Sequence, residues 1–182
     1  GIYETVRVSN QQGYLVRKPE VPIRIALFGD VGPKDYETIR DYLEVLAVLA
    51  PDLDIEWAAT VSEVNLPMHF ISCTEIINEA DQWCNTSGPS GAFSDQRNPH
   101  LGTVMFPGFG YIRLSDQRSN RHTLTHEFGH AMGLFHSEIT GTSMGPGYDQ
   151  TSYWAAHDLM TIATIHNSSV THGQNRDEVR DA

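Results

Sequence analysis

The chain has 182 residues, of which 40% are hydrophobic and 19% charged, and it carries a formal net charge of −11. This length is enough for a buried core, so we predict a single domain spanning residues 1–182. The balance of 12 basic against 23 acidic residues disfavours nucleic acid and anionic membranes as partners, because both are bound by clustered Lys and Arg. No apolar run approaches the roughly 20 residues that a membrane span requires.

The first predicted elements are a strand, a helix and two further strands. Residues 22–30 alternate apolar and polar positions, which is typical of a half-buried strand. Pro33 then suits a first helical turn, apolar residues recur at helical spacing, and Pro51 ends the helix. Residues 53–60 and 68–72 are rich in alternating apolar residues and predict the two strands that follow.

The middle of the chain is rich in turn-forming residues. Gly, Pro, Ser and Asn dominate residues 85–102, which predicts a long exposed loop, with a short helical turn before it near residues 75–81. The segments GTVMFPG and GYIRLSD predict two short strands on either side of a turn at 107–110. Cys73 and Cys84 either form a disulfide or are two free thiols. We favour the disulfide, which would indicate an oxidising compartment, because the intervening segment resembles a surface connection.

Two helices are predicted in the last third of the chain. The first begins at Ser119 or Asn120, either of which can cap it, and ends at Gly133, a common helix-terminating residue. The second covers residues 151–166, and the polar tail from Asn167 onward is predicted to fray. Strands and helices therefore share one core, which predicts an α+β or α/β fold with a twisted mixed sheet. In the helix that ends at Gly133, three residues are predicted to face this core: Leu124, Phe128 and Ala131.

The segment HEFGHAMGLFH, residues 126–136, has the residue types and the spacing of a zinc site. His126 and His130 are four residues apart, so a helix places both imidazoles on one face. Gly133 can adopt a positive φ and turn the chain back, which lets His136 approach the same ion from the other side. The alternative is a helix with surface histidines, and five fixed positions make that the weaker interpretation.

Three neutral imidazoles leave a fourth coordination position open for water, as in catalytic zinc sites. Glu127 is rotated about 100° from His126 around the helix axis, so we expect it beside the metal as a general base rather than as a ligand. Zinc lowers the pKa of its bound water to about 7, and Glu127 can take the proton. His122 would lie about 6 Å further along the axis than His126, so we expect it to be a solvent-exposed side chain.

The pattern His126-Glu127-x-x-His130-x-x-Gly133-x-x-His136 resembles the extended zinc motif of the metzincin metallopeptidases. The resemblance implies a zincin-type fold, in which a twisted mixed sheet and two long helices lie above the substrate cleft and a C-terminal helix lies below it. It also implies a protein or peptide substrate that pairs with an edge strand in extended form.

Two further segments resemble this family. Met144 in GTSMGPG, eight residues after the last histidine, corresponds to the methionine of the family's Met-turn and would form a hydrophobic floor below the histidines. The segment SYWAAHDLMTIATIHN resembles the closing helix of the matrixin type, in which Asp158 would anchor that turn through backbone N–H groups. The resemblance implies an upper subdomain at 22–134, a lower subdomain at 135–166 and a polar tail at 167–182.

The chain also departs from the better-known metzincin patterns. Ser137 follows the third histidine, where other groups have Glu or Asp. Tyr148 lies four residues after Met144 rather than two, so it is either a hydrogen-bond donor to the transition state or a wall residue of the substrate pocket. That pocket is expected along residues 145–153, and the substrate-pairing strand within residues 102–114. No complete calcium-site pattern is found, so zinc is the expected cofactor and the question of calcium stays open.

These features predict a zinc-dependent endopeptidase that is monomeric and secreted or periplasmic. Two alternatives stay open, namely a zinc-containing binding or toxin-like module without catalysis, and an amide hydrolase that acts on cell-wall peptides. The presence of Glu127 disfavours the binding module, because a purely structural zinc site needs no base and usually closes all four coordination positions.

Overall fold

The structure is a computed structural model that describes residues 16, 22–29, 31–71, 91–95, 110–115, 121–146, 153–171, 173–174 and 176–180. Within these residues, no helix is both long and apolar enough to cross a membrane. The elements in chain order are β1 (Ile23–Gly29), α1 (Pro33–Leu49), β2 (Ile55–Trp57), a 3-10 turn (Val61–Glu63), β3 (Leu66–Ile71), β4 (Gly91–Asp95), β5 (Gly110–Ser115), α2 (Arg121–Ala131), α3 (Ala156–Ile165) and α4 (Arg176–Arg180).

The five strands form one sheet in the order β2-β1-β3-β5-β4. β1 pairs in parallel with β2 and with β3, and β3 pairs in parallel with β5. β4 runs antiparallel to β5, with Phe93 opposite Ile112. Ile23 and Ile25 of β1 and Met68 of β3 are fully buried, so these central strands supply one wall of the core. The mixed sheet with helices confirms the predicted fold class.

The edge of the sheet differs from the prediction. β4 lies inside residues 85–102, which composition predicts as an exposed loop. The substrate-pairing strand is predicted within 102–114, of which residues 102–109 lie outside the described residues. The described part, 110–114, belongs to β5, which is paired on both sides. The sequence GAFSD has a single large apolar residue. Its strand character therefore comes from pairing with β5 rather than from its own pattern.

Helix α1 begins and ends where the sequence predicts. Asp35 Oδ2 accepts a hydrogen bond from the Gly32 N–H at 2.8 Å, which satisfies a donor at the start of the helix. Tyr42 is buried on the inner face of α1, and its O–H donates to Thr125 Oγ1 on α2, because the Thr125 hydroxyl itself donates to a backbone carbonyl one turn earlier. This bond joins α1 to the helix that carries the histidine motif.

The C-terminal segment packs onto the domain. Val170 is buried, and Val179 of α4 lies against the core. The Val16 N–H donates to the Gln174 carbonyl at 2.7 Å, and the Gly173 N–H donates to the Val16 carbonyl at 3.0 Å. The prediction of a frayed polar tail is therefore wrong for the described residues. Its few apolar residues are spaced too widely to show a period, and Gly173 and Gln174 form backbone bonds with Val16, which is distant in sequence.

Candidate metal centre

Three histidine rings meet at the C-terminal end of α2. His126 and His130 lie one helical turn apart, with ring centroids 4.7 Å from each other. The chain leaves the helix through Gly133, whose φ of 91° lies in the left-handed region that favours glycine. The ring of His136 then lies 5.0 Å from that of His126 and 4.9 Å from that of His130. The structure thus brings together the three histidines that the sequence singles out.

Backbone carbonyls orient two of these rings. His126 Nδ1 lies 2.8 Å from the Ser143 carbonyl oxygen, and His130 Nδ1 lies 2.8 Å from the Leu134 carbonyl oxygen. A carbonyl only accepts, so Nδ1 of each neutral ring carries the proton and Nε2 keeps its lone pair. One ligand nitrogen from each of the three histidines lies within 4.8 Å of the others, and His126 Nε2 is 3.1 Å from His136 Nε2. This donor set fits zinc, whose histidine ligands usually donate their other N–H to a carbonyl or carboxylate.

The surroundings of His126 favour its neutral form. Burial lowers the pKa of His126, because a charged imidazolium would lose its hydration. The hydrogen bond to the Ser143 carbonyl opposes this shift, whereas the neighbouring His136 adds to it. Only the neutral ring binds a metal, so the balance of these effects holds His126 in the state of a ligand.

Glu127 lies beside the histidines rather than among them. It follows His126 on α2 and is 7% exposed. It is not part of the group of converging ligand atoms, as expected from the rotation of about 100° between successive helical residues. Glu127 is therefore next to His126 along the chain but outside the set of atoms that could hold a metal ion.

The segment after His136 folds back against α2. The Ser137 N–H donates to the Met144 carbonyl at 2.7 Å, which closes the excursion between these residues. Met144 is fully buried, and its Sδ faces Gly129 in the middle of α2. The methionine therefore lies against the stretch of helix between the two helical histidines.

A buried carboxylate holds this returning segment in place. Asp158 of α3 is fully buried, and its Oδ2 accepts hydrogen bonds from the Ser143 N–H at 2.8 Å and from the Ala155 N–H at 3.0 Å. The backbone N–H directly before Met144 thus donates to Asp158, the residue that is expected to anchor this segment. Because the Ser143 carbonyl orients His126, Asp158 fixes the residue that orients a histidine. The bond to Ala155 also caps α3, which begins at Ala156, later than the sequence predicts.

The sequence model of the matrixin family matches residues 50–167, which is well over half of the chain and includes all three histidines. The chain belongs to the matrixin family. Matrixins are zinc metallopeptidases, and the histidine group of this matrixin can hold a metal ion of that kind. A comparison with curated proteins finds no match.

Of the other residues singled out in the sequence of this matrixin, three lie outside the described residues and one, His122, does not join the three histidines. Tyr148, Cys73 and Cys84 lie outside the described residues. His122 is half-buried rather than solvent-exposed, and its ring centroid lies 6.2 Å from that of His126. It does not join the converging ligand atoms, in line with its position one turn further along the helix axis.

Sequence reasoning missed an aromatic cluster that joins α1 and α2 of this matrixin to the segment directly before α3. The ring centroid of Trp154 lies 4.2 Å from that of Tyr42 and 5.5 Å from that of Phe128. The Trp154 Nε1–H donates to the Thr125 carbonyl at 3.3 Å. One signal for this contact was present in the motif, because Gly129 is a weak helix former, and a glycine inside a helix can mark a close approach.

Proposed function

We propose that this matrixin is a zinc-dependent endopeptidase in which Glu127 is the general base. The observation that supports this most strongly is the convergence of His126, His130 and His136 within 4.8 Å. Among the described residues, no further His, Cys, Asp or Glu joins this group, and His136 is exposed. Structural zinc sites are usually closed by a fourth protein ligand, whereas catalytic sites keep one position open.

The chain's own groups then have distinct tasks. Zinc, when bound by the three histidines, supplies a Lewis acid for a carbonyl and for water. The Glu127 carboxylate takes a proton from the attacking water and transfers it to the nitrogen of the leaving amine. The carbonyls of Ser143 and Leu134 keep two imidazoles in one tautomer and one orientation.

We infer that an extended peptide substrate pairs with the outer edge of β4. Within the described residues, β4 is the last strand of the sheet and has a partner, β5, on one side only. β4 also contacts α2, the helix that carries two of the histidines. An extended peptide adds to such an edge through backbone hydrogen bonds, so it would pass close to the metal centre. The substrate edge would then be Gly91–Asp95 rather than the range 102–114.

The variant Glu127→Ala tests the proposed mechanism. We expect it to retain about one zinc per chain, because Glu127 is outside the ligand group. Hydrolysis of a denatured protein should fall by about 10²–10⁴-fold, the usual contribution of a general base. The matched control is Glu44→Ala, which removes an exposed carboxylate from α1 and should leave zinc content and hydrolysis unchanged. Full activity of Glu127→Ala would refute the mechanism, and loss of its zinc would make Glu127 a ligand.

A peptide-library digest with and without a chelator separates the endopeptidase from the two alternatives. Chelator-sensitive cleavage inside extended peptides supports the proposed function. Cleavage confined to cell-wall peptides indicates the amide hydrolase, and zinc binding without any hydrolysis indicates the binding module.

A further inference from the structure

Gly129 lies between the two helical histidines of the metal centre and has no space for a side chain. A Cβ atom at this position would lie 2.8 Å from Met144 Sδ, 3.3 Å from Trp154 Nε1 and 3.4 Å from Leu134 Cδ1. The first distance is shorter than real Cβ contacts allow, and the second is tight. Met144 is fully buried, so its sulfur cannot move without displacing the atoms packed around it. Glycine weakens a helix relative to alanine, so the helix itself gives no reason for glycine here.

Two of the residues that pack against Gly129, Leu134 and Met144, are connected to the helical histidines through backbone carbonyls. Leu134 supplies the carbonyl that holds His130 Nδ1 at 2.8 Å. Met144 follows Ser143, whose carbonyl holds His126 Nδ1 at 2.8 Å. A displacement of Leu134 or Met144 would therefore move the acceptors that set the orientation of both rings.

The third histidine is tied to the same contact. The Met144 carbonyl accepts the N–H of Ser137, the residue directly after His136. Trp154, the third group that faces Gly129, donates from Nε1 to the carbonyl of Thr125, directly before His126. Each of the three histidines is thus hydrogen-bonded, directly or through a neighbouring residue, to a residue whose side chain packs on α2 at Gly129.

We propose that Gly129 is a positioning residue for the tri-histidine centre, because its missing side chain sets the distance between α2 and the segment that returns from His136. The proposal rests on the proposed function in that it takes the three histidines to be metal ligands. A methyl group at position 129 would separate α2 from Met144 and turn the imidazoles away from their common point. Gly129 touches neither substrate nor metal, and it acts through Met144 and Leu134.

The test compares zinc and cobalt binding in Gly129→Ala and in the wild-type chain. We expect zinc affinity, measured by competition with a chelator, to fall by about 10- to 100-fold, the range seen when the groups supporting metal ligands are altered. The visible absorption bands of the Co²⁺-loaded protein should shift, because they report the arrangement of the ligands. The far-ultraviolet circular dichroism should stay unchanged. Ile25→Val, a core change in β1 away from the centre, is the control that lowers stability without altering either metal signal.

The double variant Gly129→Ala/Met144→Ala tests the contact between position 129 and Met144 Sδ. It also replaces Gly129→Ala in the test if that single variant does not fold. Since Met144→Ala removes the sulfur, adding alanine at 129 to that background should change zinc affinity by less than about twofold. A further tenfold loss there, or a Gly129→Ala protein whose zinc affinity and cobalt spectrum match the wild type, would overturn the proposal. A wild-type chain that binds zinc but cleaves no peptide would refute the proposed function and leave this inference standing, because the readout is metal binding.

Discussion

Replacing the buried Asp158 tests how strongly the segment from Ser137 to Met144 is held against the metal centre. Its Oδ2 accepts two hydrogen bonds, from the N–H groups of Ser143 and Ala155. Bonds to a charged acceptor contribute about 1.5–3 kcal/mol each. The variant Asp158→Ala removes both and leaves the Ser143 N–H buried without its acceptor. Ala155 is half-buried, so water can replace part of its bond, and loss of a buried charge returns some desolvation free energy.

We therefore expect Asp158→Ala to lose about 3 kcal/mol of unfolding free energy, at the lower end of the sum of about 3–6 kcal/mol for the two bonds. At about 2–4 °C per kcal/mol for a chain of this size, the midpoint of thermal unfolding should fall by about 6–12 °C. Asp158→Asn keeps an acceptor oxygen but not the charge, and should lose about half as much. The matched control is Asp52→Ala, which removes an exposed carboxylate and should stay within about 0.5 kcal/mol of the wild type.

Urea denaturation of the metal-free chain gives the stability, and chelator competition gives the zinc affinity. Asp158→Ala should weaken zinc binding as well, because Ser143 both donates to Asp158 and orients His126. A stability loss below about 1 kcal/mol would show that the two hydrogen bonds do not hold the segment. A large stability loss with unchanged zinc affinity would break the link between Asp158 and His126.

Two further substitutions test single contacts. Gly133→Ala places a Cβ at a φ of 91°, which should cost about 1–2 kcal/mol in urea denaturation and weaken zinc binding through His136; an unchanged denaturation midpoint would contradict this. Tyr42→Phe removes the O–H that donates to the buried Thr125 and should cost about 1 kcal/mol, with zinc affinity retained. A neutral or stabilising effect of Tyr42→Phe would mean that this bond does not hold α1 to α2.

The features that sequence could predict are those set by local geometry. The four-residue spacing of His126 and His130 fixes one face of a helix whatever surrounds it. Gly133 then gives the exit from the helix, and its positive φ is found as expected. The alternation of β1 and the proline-bounded apolar period of α1 likewise depend only on neighbouring residues. These local patterns locate the centre and most of the elements around it.

The features that sequence could not predict depend on partners that are distant along the chain. Tyr42 and Thr125 are 83 positions apart, and neither segment contains a pattern that predicts their hydrogen bond. β4 has little apolar pattern of its own and is a strand because β5 lies beside it. The close approach at Gly129 required the position of Met144, which follows from the fold of the whole returning segment.

The contacts of the metal centre and the contacts of Val16 differ greatly in the number of residues that separate their partners along the chain. The three histidines and the carbonyls of Leu134 and Ser143 all lie within residues 126–144, whereas Val16 bonds to Gly173 and Gln174 near the other end of the chain. Closing a short loop loses less chain entropy than closing a long one, and short-range contacts form sooner in folding. The three histidines can therefore come together as a local unit, whereas the contact of Val16 with Gly173 and Gln174 requires the rest of the sheet and helices to be in place.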